Sequence, residues 1–190
     1  MRAFLGISLS NDMRASLAAL QRELAESHAD VKWVSPAQLH ITLKFLDEIS
    51  ASQRQAIEER LRQVARCEPS FRLGIECVGA FPSIHAPRVL WVGLSEGKER
   101  VAHLAASIEQ ELAGFALRQE ERSFAAHLTI GRVRSVRHQL ALVQRLRELS
   151  WQPPAAWPVT SLTLYQSVLS SSGPHYTVLA EFPLRISSKQ

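Results

Sequence analysis

The chain is short of several things, and each shortage narrows what it can be. Its 190 residues include two cysteines, Cys67 and Cys77, one in a helix-like stretch and one in a strand-like stretch. With no Cys-x-x-Cys pair, they are read as buried thiols in a reducing compartment rather than as a disulfide framework. No apolar run approaches the roughly 18 residues that span a bilayer. The opening stretch Phe4–Leu9 meets Asn11-Asp12 too soon for a signal peptide, so a cytoplasmic protein without a membrane segment is expected. No Gly-Lys-Ser/Thr phosphate loop occurs, and Ser170-Ser171-Ser172-Gly173-Pro174 reads as a hairpin turn. His28, His85, His103, His138 and His175 form no His-Glu-x-x-His or Cys/His cluster, so neither a metal nor another cofactor is expected.

What remains is an ordinary globular composition, 46% apolar and 21% charged, long enough for one sizeable core. A formal charge of +4 suits an anionic substrate or nucleic acid without requiring either. Disorder is expected only at the tail, Ser187-Ser188-Lys189-Gln190.

Periodicity predicts a strand over Phe4–Leu9, then a helix capped by Ser10 or Asn11 with Leu17, Leu20 and Leu24 on one face. A strand follows from Leu39 to Leu46, and a helix capped by Ser50 or Ser52 with Ile57, Leu61 and Val64 buried. Phe71–Val78 and Arg88–Leu94 read as strands around a Gly/Pro-punctuated loop, Gly79–Pro87. The second half predicts a helix over Glu99–Ala113, short strand Phe115–Arg118, strand Ala125–Val133, a helix over Arg137–Leu149, and closing strands Val159–Leu169 and His175–Leu184. The Pro-rich Trp151–Pro158 reads as a surface connector, and residues 1–190 as one bilobal domain. Trp33, Trp91 and Phe45 are assigned to the core.

Two segments within this pattern nearly repeat each other: Leu39-His40-Ile41-Thr42-Leu43 and Ala126-His127-Leu128-Thr129-Ile130. In a strand, His-x-Thr sets imidazole and hydroxyl side by side on one face while the apolar neighbours enter the core. From the chain's seven histidines and five threonines, chance supplies roughly 0.2 such triplets. Two of them, close to half the chain apart, imply a doubled fold that gives one pair per half to a shared site.

Histidine exchanges protons near neutral pH. Two can divide acid and base work on a phosphodiester, with Thr42 and Thr129 donating hydrogen bonds to non-bridging oxygens. Lys44 continues the first face by the same two-residue step. In the second copy Gly131 stands at that step and the nearest cation, Arg132, is off by one, so a bend at the glycine is needed to bring it round. The near-symmetry leaves open which histidine is acid and which is base. The basic run Arg132, Arg134 and Arg137 is either a solvated helix start or part of an RNA-binding rim.

These residues resemble a known family. Leu39-His40-Ile41-Thr42-Leu43-Lys44-Phe45-Leu46 after Trp33-Val34-Ser35-Pro36, and His127-Leu128-Thr129-Ile130-Gly131-Arg132-Val133, are similar to the two signatures of the RNA 2′,3′-cyclic phosphodiesterases, historically called 2′-5′ RNA ligases, of the two-histidine (2H) phosphoesterase superfamily. The likeness extends to Gly79-Ala80-Phe81-Pro82, Arg88-Val89-Leu90-Trp91, Leu164-Tyr165-Gln166-Ser167 and Tyr176-Thr177-Val178-Leu179. It implies a pseudo-symmetric bilobal α+β fold, with two antiparallel sheets flanked by helices around a central cleft. The implied activity is metal-independent hydrolysis of RNA 2′,3′-cyclic phosphate ends, on tRNA fragments or other RNA, to 2′-phosphomonoesters. The resemblance makes His40 the general acid and His127 the general base; Lys44 and Arg132, from their spacing, and Tyr165 and Ser167, from the likeness, are the expected substrate-binding residues. Asp47 stands where the family usually has glycine, and Ala125-Ala126 where it often has Thr-Pro.

Two rivals stand beside hydrolysis. Ligation at the same site replaces water with an RNA 5′-hydroxyl, but water at roughly 55 M favours hydrolysis unless the second RNA is held at high effective molarity. A non-catalytic nucleotide- or RNA-binding module needs neither histidine, and both are intact. A monomer is the default expectation.

Overall fold

The computed structural model describes residues 1–115, 117, 126–170 and 173–186. Four helices flank two four-stranded sheets and a small two-stranded ribbon, and every paired strand runs antiparallel to its neighbour. The first sheet orders its strands β10 (Gly173–Pro183), β9 (Ser161–Ser170), β1 (Arg2–Ser8), β3 (His40–Glu48). The second orders β2 (Val31–Trp33), β7 (His127–Val133), β6 (Val89–Leu94), β5 (Ile75–Phe81). The ribbon pairs β4 (Phe71–Leu73) with β8 (Trp157–Val159).

The sheets do not coincide with the halves of the sequence. The first closes the N-terminal strands against the last two, and the second takes the middle of the chain plus β2, which lies in sequence between β1 and β3. One contiguous core, with Leu5, Ile7, Ile41, Leu90, Leu128 and Leu164 among its members, joins the inner faces of both.

Local chemistry explains the helices. Helix α1 (Asn11–Ala25) starts where the Ser10 hydroxyl accepts the Met13 amide at 3.2 Å, and it buries Leu17, Leu20 and Leu24, each worth about 1.5–3 kcal/mol of transfer. Helix α2 (Ala51–Cys67) opens with a reciprocal cap between Ser50 and Gln53 and buries Ile57, Leu61 and Val64. Helices α3 (Lys98–Glu111) and α4 (Gln139–Glu148) bury Val101, Leu104 and Ile108, and Leu142 and Leu146.

Several expectations need correction. Gly79-Ala80-Phe81 continues β5 instead of opening a loop, because Gly79 is covered by the Trp91 indole: a Cβ there would lie 2.3 Å from the ring. The predicted strand Phe71–Val78 is two strands, broken at Gly74. The end of the Pro-rich connector is β8. Phe115 ends a 3₁₀ turn, Ala113–Phe115, and the remainder of the strand predicted there falls largely outside the described residues, as do the hairpin residues Ser171 and Ser172, Ala125, and the tail. Both cysteines are free and exposed: Cys67 ends α2, and Cys77 lies on the outward side of β5.

No helix among the described residues is long and apolar enough to cross a membrane.

Candidate active site

Strand β3 begins with His40, and the turn before it orients the ring. Pro36–Gln38 forms one 3₁₀ turn, after which the His40 Nδ1–H donates to the Gln38 carbonyl at 2.7 Å. That bond leaves Nε2 facing the Thr42 hydroxyl at 3.0 Å, as period-two alternation requires. The ring is walled by Phe4 from β1 and Tyr176 from β10, at centroid distances of 4.6 and 5.2 Å, with Tyr165 from β9 at 5.9 Å. Burial lowers the His40 pKa; the hydrogen bond to Gln38 opposes this, and the positive charge of Arg14 adds to the lowering. Burial likewise raises the Tyr165 and Tyr176 phenols.

Arg14, unnoticed in the sequence, organises this turn. Its Nε donates to the Leu9 carbonyl, and Nη1 reaches the carbonyls of Pro36, Ala37 and Leu39 at 2.8, 3.0 and 3.2 Å. With those three oxygens held, the Gln38 carbonyl between them is the one turned to His40. The Gln38 side chain in turn donates to Pro174 on β10.

Strand β7 carries the second copy. His127 and Thr129 are half-buried while Leu128 and Ile130 are fully buried on the other side. Phe81 lies 5.3 Å from the His127 ring in an edge-on contact, and Trp91 lies 6.5 Å away. Strands β3 and β7 pack against one another where the sheets meet. The Arg132 charge on β7 is felt by Tyr176 of the opposite sheet.

Each strand is irregular just after its threonine. On β3 the register skips Leu43, pairing Thr42 with Gly6 and Lys44 with Leu5. On β7 it skips Ile130, pairing Thr129 with Trp91 and Gly131 with Leu90. An extra residue turns everything after it to the other face. Arg132 is thereby brought onto the face of His127 and Thr129, as the bend expected there required.

The same device removes Lys44, which corrects its assignment as a substrate ligand. Its side chain is 2% exposed and pairs with Glu109 of α3, on the side of β3 away from His40. Phe45 takes the outward place instead, 49% exposed and 6.1 Å from Phe4. Phe45 and Trp91 therefore belong to the histidine-bearing faces and not to the core, whereas Trp33 packs against the core. Tyr165 and Ser167 share the face of Phe4, Tyr165 at 5.0 Å from it and Ser167 opposite Tyr176 in the register.

Two further residues support the strands. Gln21 of α1 is buried and donates to the carbonyls of Val34 and of the bulged Ile130, at 2.7 and 2.8 Å. Asp47, in the place where the resemblance leads one to expect glycine, has φ 52, in the left-handed region that favours glycine and that aspartate tolerates. No group of three or more His, Cys, Asp or Glu side chains that could hold a metal occurs among the described residues.

Known proteins are similar to this chain in sequence and in fold. Residues 12–169 match the model of the 2′-5′ RNA ligase superfamily. The RNA 2′,3′-cyclic phosphodiesterase of Archaeoglobus fulgidus is 36% identical over 96% of this chain and 99% of its own. That of Methanothermobacter thermautotrophicus is 33% identical over 97% and 99%. Among solved structures, a Thermus thermophilus protein superposes with a TM-score of 0.81 at 27% identity, covering 99% of this chain and 100% of its own. Escherichia coli LigT in its apo form gives 0.76 at 26% identity, with 97% of each chain covered.

Proposed function

The chain belongs to the 2′-5′ RNA ligase superfamily, and from that membership we propose that it hydrolyses 2′,3′-cyclic phosphate ends of RNA to 2′-phosphomonoesters through His40 and His127. The observation that carries the reading is the pair of His-x-Thr strands, each followed by a bulge and each turning its imidazole away from the core, on two strands that pack together.

In this reaction His127 takes a proton from water, which attacks phosphorus in line with the departing 3′ oxygen. The phosphorus–O3′ bond breaks, His40 Nε2 gives its proton to O3′, and the phosphate stays on O2′. Thr42 and Thr129 donate to the two non-bridging oxygens as negative charge accumulates on them. Arg132 adds a positive charge on the face of His127, and Tyr165 and Ser167 line the face of His40. Proton exchange with solvent then restores both histidines. The bond to Gln38 supports this use of His40, because it holds Nδ1–H and leaves Nε2 as the atom that works.

His40→Ala and His127→Ala are each expected to lose turnover by orders of magnitude. An aryl leaving group separates their roles. A 3′-deoxynucleoside 2′-(p-nitrophenyl phosphate) keeps its phosphate on O2′ and expels p-nitrophenolate in place of O3′ without needing a proton, so on it His40→Ala keeps most of its rate and His127→Ala does not. Equal losses on both substrates contradict the division of roles.

Ligation is the same chemistry with an RNA 5′-hydroxyl in place of water, and depends on a second RNA being held at high effective molarity.

A further inference from the structure

Strand β2 is three residues long, and its middle residue faces a second cation. Lys32 is the direct partner of Arg132 in the β2–β7 register, between the pairs Val31–Val133 and Trp33–Gly131. A Cβ on Gly131 would lie 2.9 Å from the Trp33 ring and from the Val31 side chain, so those three residues share the core side. Lys32 and Arg132 alternate to the opposite side, which the bulge at Ile130 makes the face of His127 and Thr129.

Like charges directly opposite one another across two strands destabilise the pair. Other cations of the chain meet carboxylates: Arg54 and Arg62 share Glu58, and Arg145 meets Glu26 at 2.8 Å. Among the described residues, no carboxylate lies within ion-pair distance of the Lys32 or Arg132 side chain. An unoffset pair of cations beside a site for anionic substrates is completed by an anion from outside. Arg132 lies beyond the bulge, roughly 7 Å along the strand from Thr129 at about 3.3 Å per residue. Lys32 stands one strand further out, about 4.8 Å to the side on β2, so the pair extends the face of His127 and Thr129 outward to where the next phosphate of an extended strand falls. A planar fork and a flexible ammonium side by side suit a phosphodiester monoanion.

We infer that Lys32 and Arg132 form a subsite for the internucleotide phosphate adjoining the cyclic end, so that the enzyme prefers oligonucleotides to cyclic mononucleotides. The inference rests on the proposed function. Its test compares Lys32→Ala with wild type on adenosine 2′,3′-cyclic phosphate and on a trinucleotide ending in a 2′,3′-cyclic phosphate. On the trinucleotide, kcat/KM falls about 10-fold, and its dependence on log salt becomes shallower by roughly 0.7. On the mononucleotide the rate stays within about twofold. Lys32→Glu exaggerates the same difference. Equal losses on both substrates, or none on either, overturn the subsite. Should wild type hydrolyse neither, the proposed function fails, and binding of the 2′-phosphate-ended trinucleotide against the 2′-mononucleotide still decides the subsite: Lys32→Ala weakens only the trinucleotide if it exists, and neither or both if it does not.

Discussion

Phe45 and Arg132 hold equivalent places in their strands. Each is the third residue after the threonine of a His-x-Thr, and each is turned outward by one unpaired residue, Leu43 or Ile130. Lys44 and Gly131 are then the matching pair on the core side, where Lys44 meets Glu109 and Gly131 makes room for Trp33. The two halves thus share a backbone plan and differ in what they present. The His40 face offers an aromatic ring where the His127 face offers a guanidinium.

Lys44 is consequently a structural residue. Lys44→Met, of similar length and without charge, is expected to leave KM for a cyclic-ended oligonucleotide within about twofold, because Glu109 is 40% exposed and remains hydrated. A phosphate ligand removed from the site costs about 1.5–3 kcal/mol, or roughly 10- to 150-fold. Steady-state kinetics separates the two outcomes.

Gly131→Ala tests the packing behind the second bulge. The new methyl meets Trp33 and Val31, and overpacking of this kind costs about 1–3 kcal/mol. Urea unfolding is expected to show a lower midpoint at unchanged slope. A midpoint equal to wild type means that β2 shifts freely, against the buried support that Gln21 gives to Val34 and Ile130.

Arg14→Met removes the guanidinium that holds the Pro36, Ala37 and Leu39 carbonyls. With Gln38 no longer fixed between them, His40 samples both tautomers. The expected result is a fall in kcat on the order of 100-fold, the size of effect that a small misplacement produces, with little change in KM. Nitrogen NMR of the His40 ring reads the tautomer directly, and an unchanged Nδ1–H signal alongside wild-type turnover contradicts this role.

His40 also makes a prediction about pH. Its folded-state pKa is lowered, chiefly by burial, so the unfolded chain binds the proton more readily. The stability tied to its neutral form is complete above about pH 6.5 and is lost as pH falls through the folded-state value. The acid role nevertheless needs the proton, and a bound phosphate anion supplies the favourable charge. NMR titration is expected to find the His40 pKa higher with the 2′-phosphate product bound than without it. A value that stays or falls contradicts the assignment of His40 as acid.

Much of this was legible in the chain because the relevant signals are local. Leu17, Leu20 and Leu24 mark α1, the Ser50–Gln53 cap marks the start of α2, and alternation around His40 and His127 marks β3 and β7. What escaped depends on partners distant in sequence. Period-two alternation aims Lys44 at the site, and only the pairing of β3 with β1 reveals the skipped Leu43. Gly79 resembles a turn residue until Trp91 is laid over it. Arg14, Phe4 and Tyr176 reach His40 from α1, β1 and β10, and no spacing within the chain relates them. The three residues of β2 are too few to show a period.

Hydrolysis of a cyclic phosphate by two histidines leaves its mark on the product. Incubating a 2′,3′-cyclic-ended oligonucleotide with the protein in EDTA, and locating the product phosphate by phosphorus NMR, reads that mark. A 2′-phosphate alone is expected, formed by wild type and by neither His40→Ala nor His127→Ala. A 3′-phosphate contradicts the departure of O3′, and product formed by either variant at the wild-type rate contradicts the two-histidine mechanism.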